Sequence, residues 1–284
     1  MAVTSRMPRE TMVTIAHISD PHVGSPHFVP NLLDRMLTEI DELAPDVVLC
    51  TGDITDNGLA GEYKAAVGYF SQIRQPLFMV PGNHDSRNVG YVHFERAWGP
   101  RYWVHDVGPV RIVGADSSEP DLNEGKLGRE HYAWLRESFD CPAELKIFAV
   151  HHHLIPLPGT GRERSTMQDA GDVLELLLGA GVQLVLNGHK HVPHVWRLEH
   201  LYIANAGTCS SLKLRGDGKP SYAIVEYSQG QVRIHRKAPF GEAALIAHWN
   251  PRTGEQYRRE FEPLFSAPFP PDSADVTTPA AEPA

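Results

Sequence analysis

The sequence predicts an α/β protein in which a mixed sheet with its helices packs on a more antiparallel sheet. Three observations carry this expectation. Short apolar runs alternate with amphipathic stretches from the start of the chain to about Leu186. The apolar runs between Val195 and Arg236 follow one another with no helical pattern between them. Five runs end in clusters of Asp, His and Asn, as parallel strands do when their carboxyl ends line a binding rim.

Each element has a local reason. Met12–Ile18 is rich in β-branched residues and reads as a strand. Asn31–Leu43 places Leu32, Leu33, Met36, Leu37, Ile40 and Leu43 at helical spacing, and Pro45 follows its end. Asp46–Cys50 is a second strand. Gly61–Ile73 is a helix with Tyr63, Val67 and Phe70 on one face, and Leu77–Val80 is a third strand. Trp103–Val107 and Val110–Gly114 flank Gly108-Pro109 as a hairpin. A helix over Arg129–Phe139 precedes a strand at Lys146–Val150. A helix over Asp169–Gly179 precedes a strand at Gln183–Leu186. Val195–Leu198, Leu201–Ala204, Tyr222–Tyr227 and Val232–Arg236 then read as antiparallel strands.

The organisation expected is a flexible start over 1–10 and one domain over 11–240. An extension over 241–264 packs on the core, and a disordered Pro/Ala-rich tail spans 265–284.

Composition excludes several classes. The 284 residues carry 26 Lys and Arg against 35 Asp and Glu, a net charge of −9, so strong nucleic-acid binding is not expected. No apolar run is long enough to span a membrane, and the first residues contain no secretory apolar core. Cys50, Cys141 and Cys209 form no CxxC pair and read as packing residues of a cytoplasmic protein. The 16 histidines are the compositional oddity.

Those histidines concentrate at strand ends. Asp20 and His22 follow the first strand, Asp53 the second, and Asn83, His84 and Asp85 the third. His151, His152 and His153 follow the Lys146–Val150 run, and His189 and His191 the Gln183–Leu186 run. Taken singly, each cluster has an ordinary explanation, such as a helix cap or a surface histidine. Taken together they form a ligand inventory of Asp, His and Asn without Cys, which suits Mn, Fe, Co, Ni or Zn. Seven candidates are too many for one ion. They suit two ions with a bridging carboxylate, an arrangement that clamps an in-line displacement at phosphorus. Glycines at 52, 82 and 188 permit sharp turns and close backbone approach there.

The order Asp20-Pro21-His22, Gly52-Asp53, Gly82-Asn83-His84-Asp85, His151, Gly188-His189-Lys190-His191 resembles the calcineurin-like metallophosphoesterase superfamily. The resemblance runs from about residue 12 to 240. It implies a four-layer α/β/β/α sandwich of two mixed sheets, the metallophosphoesterase fold, with two divalent metal ions (Mn, Fe or Zn). Asp20, His22 and His191 would hold one ion. Asn83, His151 and His189 would hold the other, and Asp53 would bridge. His84 would contact the phosphate as stabiliser or general acid, oriented by Asp85. His152 or His153 would point at the substrate or back into the core. Asp56 stands where purple acid phosphatases of this superfamily have a tyrosine, so an iron–tyrosinate centre is not expected.

The segment from Asp116 to Leu135 makes the chain similar to class III cyclic-nucleotide phosphodiesterases and related small bacterial enzymes. The expected activity is hydrolysis of small-molecule phosphate esters, foremost cyclic nucleotides or other small phosphodiesters. A phosphomonoesterase is the alternative, with a nuclease or a non-catalytic scaffold behind it. Arg162 and Arg164 either reach the phosphate or solvate their loop, and solvation is the favoured reading. A homodimer is compatible with the sequence.

Overall fold

The structure, a computed structural model, describes residues 12–160, 166–215 and 218–259. Arg162, Arg164, the start over 1–10 and the tail over 265–284 lie outside the described residues.

Two mixed sheets pack face to face. The first contains β1 (Val13–Ile18), β2 (Val47–Cys50), β3 (Leu77–Met79), β10 (Tyr222–Ser228), β11 (Gln231–Lys237), β12 (Ala243–Trp249) and β13 (Gln256–Arg259). Their order is β13-β12-β11-β10-β1-β2-β3, with β1, β2 and β3 parallel and the remaining pairs antiparallel. The second contains β4 (Trp103–Val107), β5 (Val110–Gly114), β6 (Leu145–Ala149), β7 (Leu184–Asn187), β8 (His194–Leu198) and β9 (Leu201–Asn205). Its order is β4-β5-β6-β7-β9-β8, parallel from β5 through β9 and antiparallel at both edges.

Three apolar clusters define four layers. The central one joins inward residues of both sheets, among them Ile15, Leu49, Ile147, Leu186, Val225 and Trp249. A second seals the outer face of the first sheet under α1 (Pro30–Leu43), α2 (Ala60–Phe70) and α3 (Gly90–Trp98), through Met36, Ile40, Phe70 and Phe94. A third seals the second sheet under α4 (Tyr132–Ser138) and α5 (Ala170–Gly179), through Leu135, Phe148, Val173 and Leu177. Strands buried on both faces explain why their sequences are continuous apolar runs without alternation: β1, β2 and β7 are buried at every position.

The architecture departs from the sequence-derived reading in two places. The C-terminal strands do not build a separate antiparallel sheet. β10 pairs with β1, so β10 to β13 extend the first sheet, while β9 runs parallel to β7 in the second. Strand β12 carries the sheet past residue 240, and α3 was not anticipated. Both sheets are therefore mixed, and the five ligand-bearing strand ends are divided between them.

Candidate metal centre

β1, β2 and β3 bring Asp20, His22, Asp53, Asn83 and His84 to one edge of the first sheet. β6 and β7 bring His151, His189 and His191 to the facing edge of the second. Asp20, His22, Asp53, His189 and His191 all have positive φ, between 50° and 74°. A non-glycine residue pays about 1–3 kcal/mol for this conformation, so five at one rim mark a site that the surrounding fold holds against strain. Glycine makes the approach of the turns possible. A Cβ on Gly82 would overlap the Asp53 carboxylate, and one on Gly188 would overlap Ser19 and Asp20.

All seven expected ligands converge. His22 Nε2 lies 2.9 Å from His191 Nε2, and His191 Nε2 lies 3.3 Å from Asp20 Oδ1. Asp53 Oδ2 is 3.6 Å from His22 Nε2, while Asp53 Oδ1 is 3.3 Å from His151 Nε2. Asn83 Oδ1 lies 3.2 Å from His151 Nε2 and 3.0 Å from His189 Nδ1. Asp53 thus faces both halves with different oxygens. Among the described residues, Asp20–His22–His191 and Asp53–His151–His189 each place ligand atoms within 4.8 Å of one another. His22–Asp53–His84 meets the same measure, so His84 stands beside the cluster.

The contacts around these rings test whether the set suits a cation. His151 Nδ1 donates to Thr51 O at 2.7 Å, and His191 Nδ1 donates to Lys213 O at 2.5 Å. In the neutral rings, Nε2 is then an acceptor in both. Each such nitrogen faces other acceptors: Asp53, Asn83 and His189 around His151, Asp20 and His22 around His191. Buried acceptors turned on one another call for positive charge between them, as a proton or a metal cation. The carboxylates also draw positive charge onto the rings beside them. Burial alone would lower the His151 pKa, yet Asp53 outweighs it and pushes it up to about 9. His191 is likewise raised, by Asp20 against burial. Asp53 is held well below the usual carboxylate range by His151 and His84, although burial opposes this. His189, buried and surrounded by other imidazoles, is driven well below its ordinary value. The oxygen and imidazole donor set fits divalent ions.

Asp85 does not orient His84. Its carboxylate accepts from Gly82 N–H at 2.9 Å, Ile54 N–H at 3.1 Å, and Thr55 N–H and Oγ1–H at 2.8 Å each. It staples the turn that carries Asp53 to the turn that carries Asn83. Its pKa is raised to about 6 by burial and by the charge of Asp53. His84 Nδ1 instead lies 2.6 Å from the Asp56 carbonyl and 2.9 Å from Arg87 Nη1. Burial, with His22 and Arg87 nearby, lowers the His84 pKa.

The three consecutive histidines divide their roles. His151 faces the carboxylates. His152 turns away: Ser117 Oγ sits 2.8 Å from its Nδ1, and its Nε2 donates to Asn123 O at 3.2 Å. Burial and the neighbouring His151 lower the His152 pKa to about 3, so it works as a neutral hydrogen-bonding strut. His153 is buried and stacks on His189 with ring centroids 5.5 Å apart. Above the cluster opens a cleft of about 450 Å³, lined by Asp53, Asn83, His84, His189 and His191 together with Arg87, Asn123, Lys190, Lys213, Leu214 and Arg215. The motifs gave no sign of Arg87 or Asn123, because their position depends on the 115–128 segment folding across the rim.

The calcineurin-like phosphoesterase family model matches residues 13–193. A "probable glycerophosphodiester phosphodiesterase" of Arcobacter nitrofigilis is 26% identical over 277 residues, covering 90% of this chain and 96% of that protein. A cAMP/cGMP dual specificity phosphodiesterase of Mycobacterium tuberculosis is 28% identical over 201 residues, covering 65% of this chain and 63% of that one. Among solved structures, a purple acid phosphatase from yellow lupin aligns with a TM-score of 0.68 at 14% identity, over 84% of this chain and 53% of its own, a likeness of fold alone.

Proposed function

The chain belongs to the calcineurin-like phosphoesterase family and is a hydrolase of phosphate esters, and from that premise we propose that it is a phosphodiesterase acting on small phosphodiesters. The observation that carries the reading is the double contact of Asp53, with one oxygen toward His22 and the other toward His151. Asp20, His22 and His191 would hold one divalent ion, and Asn83, His151 and His189 the other, with Asp53 shared. Manganese, iron and zinc suit these donors. When bound, such a pair supplies Lewis-acid polarisation of the phosphoryl oxygens and a water acidic enough to act as nucleophile near neutral pH.

The chain's own groups do the rest. The carboxylates are set in place by their hydrogen bonds, so little reorganisation is needed during reaction. Two backbone N–H donors tie the first-sheet turns to the rest of the cluster: His189 N–H to Asp20 and His84 N–H to Asp53. His84 Nε2 faces the cleft 4.0 Å from Asp53 Oδ2. The Asp56 carbonyl, 2.6 Å from Nδ1, can only accept, so Nδ1 carries a proton; Nε2 of the neutral ring is then an acceptor, and the imidazolium is the form that can give a proton to a departing alkoxide. Asp56 fills the place of the purple-phosphatase tyrosine, with its carboxylate 3.6 Å from His22 Nδ1. That position is not a phenolate and supplies no tyrosinate ligand.

Relatives that act on glycerophosphodiesters and on cyclic nucleotides both support a diester substrate. Among the described residues no helix is long and apolar enough to cross a membrane, and the buried free thiols Cys50 and Cys209 suit a reducing cytoplasm. The test is paired hydrolysis of bis(p-nitrophenyl) phosphate and p-nitrophenyl phosphate by protein reconstituted with Mn, Fe or Zn. The diester is expected to be the better substrate. Turnover of the monoester alone would overturn the reading.

A further inference from the structure

The cleft carries more positive charge than one phosphodiester requires. At its floor, Asp20 and Asp53 bring −2 against +4 from two divalent ions, leaving +2. A nucleophile present as hydroxide and a diester monoanion bring −2 and close that balance. The rim then holds Arg87, Lys213 and Arg215, with Lys190 buried in the same lining, against the nearby carboxylate of Asp56. A surplus of positive charge remains.

One of these cations is held in place by its side-chain contacts. The half-buried Arg87 donates Nη1–H to Asp56 O (3.2 Å) and Nη2–H to Asn123 Oδ1 (2.8 Å), with Nη1 2.9 Å from His84 Nδ1. Both acceptors are uncharged, and no carboxylate pairs with its guanidinium among the described residues. Asn123 Oδ1 also accepts from Asn83 Nδ2 at 3.2 Å, and the Asn123 carbonyl is fixed by His152. This clasp holds the guanidinium over the cleft. Lys213 and Arg215 are exposed on a second loop. That loop is pinned where Lys213 O accepts from His191 Nδ1 and Lys213 N–H donates to Ser211 Oγ at 3.1 Å. A planar guanidinium with its charge unpaired suits bidentate contact with a phosphoryl group.

Resting on the phosphodiesterase reading, we propose that Arg87, Lys213 and Arg215 form a subsite for a second phosphoryl group of the substrate. The substrate class is then a phosphodiester in which one esterified alcohol bears a phosphate monoester. The positive rim suits that dianion.

Two esters with the same scissile bond test this on the metal-loaded enzyme: thymidine 5′-(p-nitrophenyl phosphate) and its 3′-phosphorylated form. Wild type should favour the 3′-phosphorylated ester by at least about tenfold in kcat/KM, carried mainly by KM, with the advantage shrinking as salt rises. The ratio should fall in Arg87→Gln, in Lys213→Gln and in Arg215→Gln, and approach one in the triple variant. Equal kcat/KM for the two esters in wild type, or a preference that survives in the triple variant, overturns the subsite. Calorimetry gives a readout without turnover. Thymidine 3′,5′-bisphosphate should bind at least about tenfold more tightly than thymidine 5′-monophosphate, again only with the three cations present. Equal affinities overturn it. If neither ester is hydrolysed while this binding preference persists, the diesterase reading fails and the anion subsite stands.

Discussion

Two clusters of buried charge in this fold are built from similar parts and differ in how they close. Around Glu39, on α1, every group has a complementary partner. Arg35 Nε donates at 2.8 Å, Tyr222 Oη at 2.9 Å and the Phe240 N–H at 3.0 Å, and Lys237 Nζ lies 3.3 Å away. Burial would raise the Glu39 pKa, but these donors outweigh it and hold it low. Around Asp53, the carboxylates and imidazole nitrogens face one another across a space that draws in positive charge. A cluster that closes on itself fastens a helix to a sheet. One that needs an added cation is a binding site. Burial and charge alone do not distinguish them; the direction of the lone pairs does.

The sharpest way to break the contrast is at the shared carboxylate. Asp53→Ala should drop turnover to background and bring bound metal below two ions per chain by elemental analysis. Retention of two ions would remove Asp53 from the bridging role. His84→Ala should separate chemistry from metal holding. It should cost about a hundredfold to ten-thousandfold in kcat while both ions stay. Full activity would exclude His84 from proton transfer and phosphate contact.

A smaller effect is expected one step removed from the ions. His152→Ala frees the Asn123 carbonyl and loosens the clasp on Arg87, so kcat/KM should fall about tenfold with metal content unchanged. Loss of metal instead would give His152 a role in holding His151 or His189. The smallest effect belongs to the closed cluster. Because the folded pKa of Glu39 is depressed, its stability contribution is present above the unfolded value near 4.5. It is lost as pH falls through the lower folded value. Glu39→Gln should therefore cost roughly 1–2 kcal/mol near neutral pH, with the difference from wild type shrinking below about pH 4.5, and leave kcat unchanged. Denaturant melts at pH 7 and pH 3.5 check the sign.

The strands that carry the site were legible because each is a short apolar run ending abruptly in Asp, His or Asn. The positive φ angles at Asp20, His22, Asp53, His189 and His191 belong to the same turns and left only an indirect trace, the adjacent glycines at 52 and 188. Other elements were silent for physical reasons. Helix α3 is nine residues long and starts at a glycine, and only Gly90 and Phe94 on it are buried. Strand β12 lies toward the edge of its sheet, with Ala243 and Ala244 exposed, so its pattern is diluted. Asp85 looked like a partner for the adjacent His84, yet its carboxylate serves backbone N–H groups at 54, 55 and 82, which no spacing reveals.

Local sequence by itself determined which residue types reach the carboxyl ends of the strands, and hence the metal-suited donor set. That information is local: a hydrophobic run sets the strand, and the next residue leaves it. Only the tertiary structure decided that the first sheet would supply the carboxylates and the second most of the imidazoles. It alone turned His151 inward and His152 outward, and set Arg87 and Asn123 over the cleft. Those outcomes depend on the packing of two sheets and on a loop crossing between them, so they belong to contacts between residues distant in the chain.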